Sequence, residues 1–211
     1  MVDIAVIDYG MGNLRSVQHA LSSVAPKANI VVTSDPKVVE QAARVVFPGQ
    51  GAMPDCMREL DARNLRQAVL TAAQSKPFLG ICIGLQMLFE RSAEGDVPCL
   101  GVLPGKVLRF AHGLQDAQGN RLKVPHMGWN QVHQGDHPMW QDIAQDERFY
   151  FVHSYYVLPD DAALVQAVSL YPVPFVCAVA RENLFAVQFH PEKSHTAGLQ
   201  LLKNFVNWNP I

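Results

Sequence analysis

The sequence contains 211 residues, 49% of them hydrophobic, and its 17 Lys and Arg against 19 Asp and Glu give a formal net charge of −2. This length and apolar content predict one globular domain with a substantial core, which we assign to residues 1–211. The balanced charge, without a basic cluster, argues against a nucleic-acid-binding protein and leaves a small molecule as the expected ligand.

The N-terminus has no charged region followed by an apolar core, as a signal peptide would have. No apolar run in the sequence reaches the roughly 18 residues of a membrane span. We therefore expect a cytoplasmic protein that binds neither membrane nor nucleic acid.

The spacing of cysteine and histidine gives no sign of a metal or cofactor. None of the four cysteines forms a C-x-x-C pair, which argues against zinc sites and a disulfide framework. His133 and His137 are separated by Gly135, which disfavours the helix that would bring both rings to one ion. We expect no metal and no cofactor, and three of the cysteines are expected to be structural.

The first half of the chain alternates predicted strands and helices. Strands are predicted over residues 3–8, 30–33 and 44–47, and helices over residues 14–24, 37–42 and 64–74, each longer helix with an apolar stripe. This alternation predicts a parallel sheet with helices on both faces. The third strand runs into a Pro-Gly-Gln-Gly loop at residues 48–51, which on its own reads equally well as a plain turn.

The stretch from Pro77 to Phe89 has the pattern of a nucleophile elbow with Cys82 in the place of serine. The apolar period changes from strand to helix across Cys82, and Gly80 and Gly84 flank it. A helix N-terminus favours thiolate over thiol, and the Ile83 N–H would be one oxyanion donor. Alone, the pattern also fits a buried, inert cysteine.

The second half of the chain is predicted to be richer in strands. We expect strands over residues 106–110 and 149–156, a hairpin of residues 175–180 and 184–189, and a final helix over residues 196–208. Residues 124–130 show no helical or strand periodicity, and residues 133–147 are interpreted as a surface insertion.

A base and its orienting group are predicted just after the hairpin. Pro191 favours extended backbone at His190, so that the Glu192 carboxylate can lie beside the imidazole. A cysteine nucleophile requires such a base, and the base requires an acceptor for its second N–H. We therefore predict that Cys82, His190 and Glu192 form a catalytic triad.

Five motifs together resemble the class I, triad-type glutamine amidotransferases. In chain order they are P-G-Q-G, G-I-C-I-G-L-Q, P-H-M-G-W-N, Y-F-V-H-S-Y and H-P-E-K-S, starting at residues 48, 80, 125, 150 and 190. The resemblance runs from Asp3 to about Trp208 and implies an α/β fold of flavodoxin-like type, a mostly parallel central sheet with helices on both faces. It implies glutamine hydrolysis to glutamate and ammonia.

The resemblance also implies roles for residues that the pattern alone leaves open. The oxyanion hole would comprise Gly49, Gln50 and Gly51 with Ile83. Glutamine would be bound by Gln86, Glu94, His153, Ser154 and Tyr155. A partner interface would contain Asn13, Met127, Trp129, Asn130 and Lys193.

Within the family, the P-H-M-G-W-N and Y-F-V-H-S-Y segments resemble the branch that serves histidine biosynthesis. This implies a (β/α)8-barrel cyclase subunit that uses the ammonia to make imidazole glycerol phosphate and an aminoimidazole carboxamide ribotide. Glutaminase activity would then be low in the isolated chain and strongly stimulated by the partner and its ligand.

Three other interpretations remain open from the sequence. The chain could be the glutaminase of a different ammonia-using synthase, a cysteine hydrolase or peptidase on a similar scaffold, or a catalytically silent subunit that binds a partner.

Overall fold

The computed structural model describes residues 2–116 and 118–210. The strands are β1 Ile4–Ile7, β2 Ile30–Thr33, β3 Arg44–Phe47, β4 Phe78–Ile81, β5 Arg91–Ser92, β6 Val97–Pro98, β7 Gly105–Arg109, β8 His126–Gln131, β9 His133–Gln134, β10 Arg148–His153, β11 Tyr155–Pro159, β12 Val165–Leu170, β13 Pro174–Arg181 and β14 Leu184–Val187. The α-helices are α1 Leu14–Val24, α2 Pro36–Gln41, α3 Met53–Ala62, α4 Arg66–Ser75, α5 Ile83–Gln86 and α6 His195–Asn207. Three-residue 3-10 turns begin at Pro138, Ala162 and Pro191.

One large sheet organises the described part of the chain. Its first five strands, in the order β2-β1-β3-β4-β14, are all parallel, and the sheet then continues through antiparallel β13, β11 and β7. Every residue of β1, β4 and β14 is buried, as expected for parallel strands covered on both faces. The predicted α/β fold with a mostly parallel central sheet is confirmed.

Helices cover both faces of this sheet. The apolar sides of α2, α3 and α4 pack into one core cluster, and those of α1 and α6 pack into a second. The predicted apolar stripes are confirmed at Val17 and Leu21 in α1 and at Ala68 and Val69 in α4, all of which are buried. The two cores hold β3, β4 and β14 rigidly side by side.

The helix after Cys82 is shorter than its apolar spacing indicates. Helix α5 ends at Gln86, although Leu88 and Phe89 continue the helical pattern. The carbonyls of Met87, Leu88 and Phe89 instead accept hydrogen bonds from backbone N–H groups of residues 100–103. Long-range backbone bonds therefore replace the next helical turn.

Residues 126–131 differ from the prediction. They form strand β8, which pairs antiparallel with β10 as a separate two-stranded sheet. Residues 133–147 are mostly exposed, as expected of a surface segment, but Met139 and Trp140 are buried and the Trp140 ring packs against Phe185 with centroids 5.4 Å apart. Among the described residues, no helix is long and apolar enough to cross a membrane.

Candidate active site

The nucleophile elbow is formed where β4 passes into α5. Cys82 has φ of 57° and ψ of −113°, a backbone conformation that non-glycine residues rarely adopt and that is characteristic of strained functional turns. A Cβ on Gly84 would overlap the carbonyl oxygen of Phe47 in the neighbouring strand β3. Glycine at this position therefore lets α5 lie directly against the sheet, which raises the thiol above the strand ends.

The predicted base and its orienting carboxylate lie side by side. His190 Nδ1 lies 2.8 Å from Glu192 Oε1, and the two side chains are only 7% and 2% exposed. His190 has extended backbone, as expected from Pro191, while residues 191–193 form a 3-10 turn. The carboxylate fixes the imidazole orientation and tautomer, because it can only accept the Nδ1 proton.

Backbone contacts fix His190 from two sides. Its N–H donates to the Tyr150 carbonyl at 2.9 Å, and its carbonyl accepts from the buried Ser194 hydroxyl at 2.6 Å. The same hydroxyl accepts the Tyr150 N–H at 3.0 Å. Ser194 thus ties the histidine to strand β10.

The charge state of His190 is set by its two neighbours. Burial disfavours the imidazolium, but the Cys82 thiolate and the Glu192 carboxylate outweigh burial and raise the pKa of His190 to about 10. Within the described residues, Nε2 forms no hydrogen bond of regular geometry, although the Cys82 sulfur is close enough to raise the pKa of the ring. The sulfur and the imidazole are therefore electrostatic neighbours in the cavity.

Most of the predicted site residues line one cavity of about 360 Å³. Its walls contain Gln50, Gly51, Cys82, Ile83, Gln86, Glu94, Pro125, Val152, His153, Ser154, Tyr155, His190 and Lys193. Pro125 and Val152 were not predicted. The cavity lies at the carboxyl ends of β3, β4 and β14, the edge at which open α/β sheets bind ligands.

The loop after β3 forms part of the cavity wall. Gln50 and Gly51 line the cavity, and Gly51 has φ of +110°, which favours glycine. Gly49 lies outside the cavity wall, where a Cβ would overlap the Tyr9 hydroxyl. The Cys56 thiol donates to the Gln50 carbonyl at 3.6 Å and holds the loop from below.

Sequence reasoning missed Gln188, which contacts the predicted nucleophile Cys82. Its Nε2 donates to Cys82 Sγ at 3.8 Å, and its Oε1 accepts from Gln86 Nε2 at 2.9 Å. Gln188 is fully buried. The available signal was the amide of Gln188 in an otherwise apolar run, just before Phe189 and His190. A buried amide requires specific hydrogen-bond partners.

Glu94 lines the cavity and is anchored by helix α3. Its Oε2 accepts the Met53 N–H at 2.8 Å, at the first residue of that helix, where a carboxylate satisfies an N–H that has no intrahelical acceptor. No helix was predicted here, although Met53, Cys56, Met57 and Leu60 have the i, i+3, i+4, i+7 spacing that indicates one.

The five predicted interface residues have different surroundings. Met127 and Trp129 are 62% and 40% exposed on β8, and the Trp129 indole stacks on His195 with centroids 4.8 Å apart. Asn130 is half-buried, Asn13 is exposed at the start of α1, and the Lys193 ammonium lies 5.9 Å from the centre of the Tyr150 ring.

The other thiols differ from Cys82 in their surroundings. Burial raises the pKa of Cys56 to about 12 and that of Cys99 to about 11, and it raises the pKa of fully buried Cys177 still further. These three stay protonated at neutral pH. Within residues 2–116 and 118–210, no cluster of His, Cys, Asp and Glu could hold a metal ion.

Comparison with known proteins gives one consistent result. A family model described as glutamine amidotransferase class-I matches residues 5–208. A protein of Thiobacillus denitrificans named imidazole glycerol phosphate synthase subunit HisH is 66% identical over 99% of this chain and 92% of its own length. One of the same name from Aromatoleum aromaticum is 67% identical over 100% of both chains.

Solved structures share the fold at low sequence identity. A structure described as a glutamine amidotransferase has a TM-score of 0.72 and 18% identity over 97% of both chains. The PurLQS structure from Thermotoga maritima has a TM-score of 0.68 and 19% identity, covering 98% of this chain and 99% of that chain. At these identities the likeness establishes the fold alone.

Proposed function

The chain belongs to the class I glutamine amidotransferase family, and on that premise we propose that it hydrolyses glutamine to glutamate and ammonia at Cys82. The observation that carries this proposal is the meeting of Cys82 with the His190 and Glu192 pair at one cavity. A thiol at a strained elbow, beside an imidazole oriented by a buried carboxylate, is the arrangement of an activated nucleophile.

In the first half of the reaction, the Cys82 thiolate attacks the side-chain amide carbon of glutamine. The carbonyl oxygen becomes an oxyanion, which the Ile83 N–H and backbone N–H groups of the Gln50 and Gly51 loop would stabilise. His190, as imidazolium, gives its Nε2 proton to the amide nitrogen. The C–N bond then breaks, ammonia leaves, and a γ-glutamyl thioester remains on the sulfur.

The second half of the reaction regenerates the thiolate. His190, now neutral, takes a proton from water, and the hydroxyl oxygen adds to the thioester carbon. The C–S bond breaks and glutamate is released, while the proton stays on His190. Glu192 stabilises the imidazolium at both steps without being protonated itself.

The rest of the cavity is suited to an amino acid. We propose that the Glu94 carboxylate binds the α-amino group and that backbone groups of His153, Ser154 and Tyr155 bind the α-carboxylate. Gln86 and Gln188 form an amide clamp on the sulfur: Gln86 donates to Gln188, whose nitrogen lies 3.8 Å from Cys82 Sγ.

We further propose that the ammonia is used by a second protein in histidine biosynthesis. Relatives 66% and 67% identical are named imidazole glycerol phosphate synthase subunit HisH. The partner would be a (β/α)8-barrel cyclase that makes imidazole glycerol phosphate and an aminoimidazole carboxamide ribotide, and the cytoplasm would be the place of action. The exposed Met127 and Trp129 support β8 as its docking edge.

Glutamate release by the purified chain, alone and with the cyclase subunit of the same organism, tests this function. We expect turnover of free glutamine that rises strongly when the cyclase and its ribonucleotide ligand are added, and none from Cys82→Ser. Wild-type protein without glutaminase activity in the complex would refute the proposal. Stimulation by another ammonia-using synthase, but not by this cyclase, would show that the other synthase is the partner.

A further inference from the structure

Two buried histidines lie opposite each other in the two-stranded sheet. His126 of β8 and His153 of β10 are register partners and are 4% and 6% exposed. Aromatic rings surround them, including Phe110, Phe151 and Phe175. His153 lines the cavity, whereas His126 lies behind it and has no part in the proposed chemistry.

The two rings are links in a continuous chain of hydrogen bonds. Asn130 Nδ2 donates to His126 Nε2 at 3.2 Å. His126 Nδ1 lies 3.0 Å from His153 Nε2, and His153 Nδ1 lies 2.8 Å from the Tyr155 carbonyl oxygen. The chain therefore runs from a half-buried amide on β8 to a backbone carbonyl in the cavity wall.

Both ends of this chain have a fixed polarity. The Asn130 amide is oriented by its Oδ1, which accepts the Gln131 N–H at 2.9 Å, so its nitrogen faces the ring. That nitrogen also donates to the Leu170 carbonyl at 2.9 Å. At the far end, the Tyr155 carbonyl can only accept.

Fixed ends leave one proton arrangement for the rings between them. His126 Nε2 accepts, so its proton is on Nδ1, which donates to His153 Nε2. The proton of His153 is then also on Nδ1, which donates to Tyr155. All four ring nitrogens are satisfied only if both rings are neutral Nδ1–H tautomers, and burial supports this by lowering the pKa of both histidines.

The chain of hydrogen bonds ends at the turn that connects the two-stranded sheet to the large sheet. Strand β10 ends at His153 and β11 begins at Tyr155, so the His153 bond to the Tyr155 carbonyl closes the turn around Ser154. The same carbonyl accepts Gln86 Nε2 at 2.9 Å. This turn therefore carries the backbone groups of the cavity wall and is connected to the amide clamp on the sulfur.

A pair of apolar side chains would fill this space without needing polar partners, because buried polar groups are costly unless every one is hydrogen-bonded. What two histidines add is the connection from β8 to the cavity wall. We propose that His126 is a positioning residue for the glutamine pocket, acting through His153 to hold the turn at Ser154. The chain of hydrogen bonds from Asn130 to the Tyr155 carbonyl is then a relay, and Asn130 sets its direction. The role in glutamine binding rests on the proposed function, whereas the relay itself does not.

Nitrogen-15 NMR of the histidine side chains in the purified chain at neutral pH tests the relay directly. We expect a protonated Nδ1 and an unprotonated Nε2 for both His126 and His153, with assignments from the His126→Phe and His153→Phe spectra. An Nε2–H tautomer or a charged ring at either position would overturn the relay whatever the enzyme activity.

Glutamine kinetics of the cyclase complex test the pocket role. His126→Phe keeps a ring of similar shape but removes both the acceptor for Asn130 and the donor to His153. Losing the bond to His153 corresponds to a rise in KM of about five- to tenfold with little change in kcat. Phe175→Leu is the packing control, since Phe175 contacts both histidine rings but donates to neither. It should lower the melting temperature and leave KM unchanged.

An equal KM change in both variants would show that only packing matters and would overturn the role of His126. A wild-type complex without glutaminase activity would overturn the proposed function and the pocket role together. The tautomer measurement remains decisive for the relay in that case, so the two failures are distinguishable.

Discussion

At the scale of single residues, the proposed chemistry depends on how Glu192 holds His190. The carboxylate is 2% exposed and accepts the Nδ1 proton at 2.8 Å. It keeps Nε2 directed at the thiol and stabilises the positive charge that the ring carries before ammonia leaves. Glu192 Oε2 has no hydrogen-bond partner among the described residues, so the bond to His190 is the main interaction that stabilises the carboxylate.

Replacing Glu192 with glutamine keeps the shape of the side chain and removes its charge. The amide no longer stabilises the imidazolium, so we expect kcat for glutamine hydrolysis to fall by roughly 10²-fold or more. Steady-state glutamate release by the complex measures this. Glu40→Gln, at an exposed position of α2, is the matched control and should leave kcat unchanged. Equal rates for Glu192→Gln and wild type would remove Glu192 from the mechanism.

At the scale of secondary structure elements, the elbow exists because α5 can approach β3 closely. We expect Gly84→Ala to destabilise the fold by about 3 kcal/mol or more, since the added methyl meets backbone of the central sheet. Gly101→Ala is the control. Gly101 has φ of +66° but open space around a Cβ, so only the cost of left-handed backbone, about 1 kcal/mol, applies. Urea unfolding measures both, and equal losses would contradict the packing explanation.

The β8 and β10 sheet gives the protein an acid-sensitive element. Burial lowers the pKa of His126 to about 4 and that of His153 to about 3. Below roughly pH 6.5 the unfolded chain takes up protons at these histidines and the folded protein does not, so the free energy of unfolding falls by up to about 1.4 kcal/mol per pH unit for a fully shielded ring. Their contribution to stability is therefore complete above that pH and is lost as the pH decreases.

Urea unfolding of wild type and His126→Phe across this range checks the sign. We expect the free energy of unfolding of wild type to decrease more steeply below about pH 6.5 than that of the variant, which has one histidine fewer to protonate when unfolded. Parallel curves would show that His126 is not held neutral by the fold.

The local sequence pattern was sufficient to predict strands in the parallel half of the sheet. Strands β2 and β3 have the predicted bounds, and the alternation of strand and helix predicted the parallel pairing. The pattern failed where distant backbone decides the structure. Helix α5 ends early because residues 100–103 bond to its next carbonyls, and β8 is a strand because β10 pairs with it despite an irregular apolar pattern.

The candidate site shows the same division. Cys82, His190 and Glu192 were predictable, because an elbow and a strand-end His-Pro-Glu each carry a local pattern. Gln188 had only the weak signal of an amide in an apolar run, and the His126 relay had none, since a buried amide or imidazole shows its partners only after folding. Glu94 was predicted to bind glutamine, but its hydrogen bond to Met53 depends on helix α3, which was not predicted.

At the scale of the whole molecule, the cavity and the exposed edge of β8 adjoin each other. Lys193 belongs to the cavity wall, and the Trp129 indole stacks on His195 two residues further along. A partner bound to this edge would therefore contact the element that carries His190. Under the proposed function, this proximity would allow a bound partner both to receive the ammonia and to change the reaction rate.

Trp129 and Leu158 form a matched pair for testing the docking edge, since they are 40% and 41% exposed. We expect Trp129→Ala to weaken binding of the cyclase subunit by roughly 30-fold or more, as for a buried aromatic hot spot of about 2 kcal/mol. Leu158→Ala, on β11 and outside the proposed interface, should not change the affinity measured by titration calorimetry. Equal effects would show that β8 is not the docking edge.

The most direct measurement of the central claim is covalent labelling of the complex by a diazoketone analogue of glutamine, followed by mass spectrometry of the intact chain and its peptides. We expect one adduct, on Cys82, that glutamine competes away and that Cys82→Ser abolishes, while Cys56, Cys99 and Cys177 stay unmodified because none of them lines the cavity and their raised pKa keeps them protonated. A wild-type chain that stays unlabelled, or that is labelled on another cysteine with Cys82 intact, would contradict it.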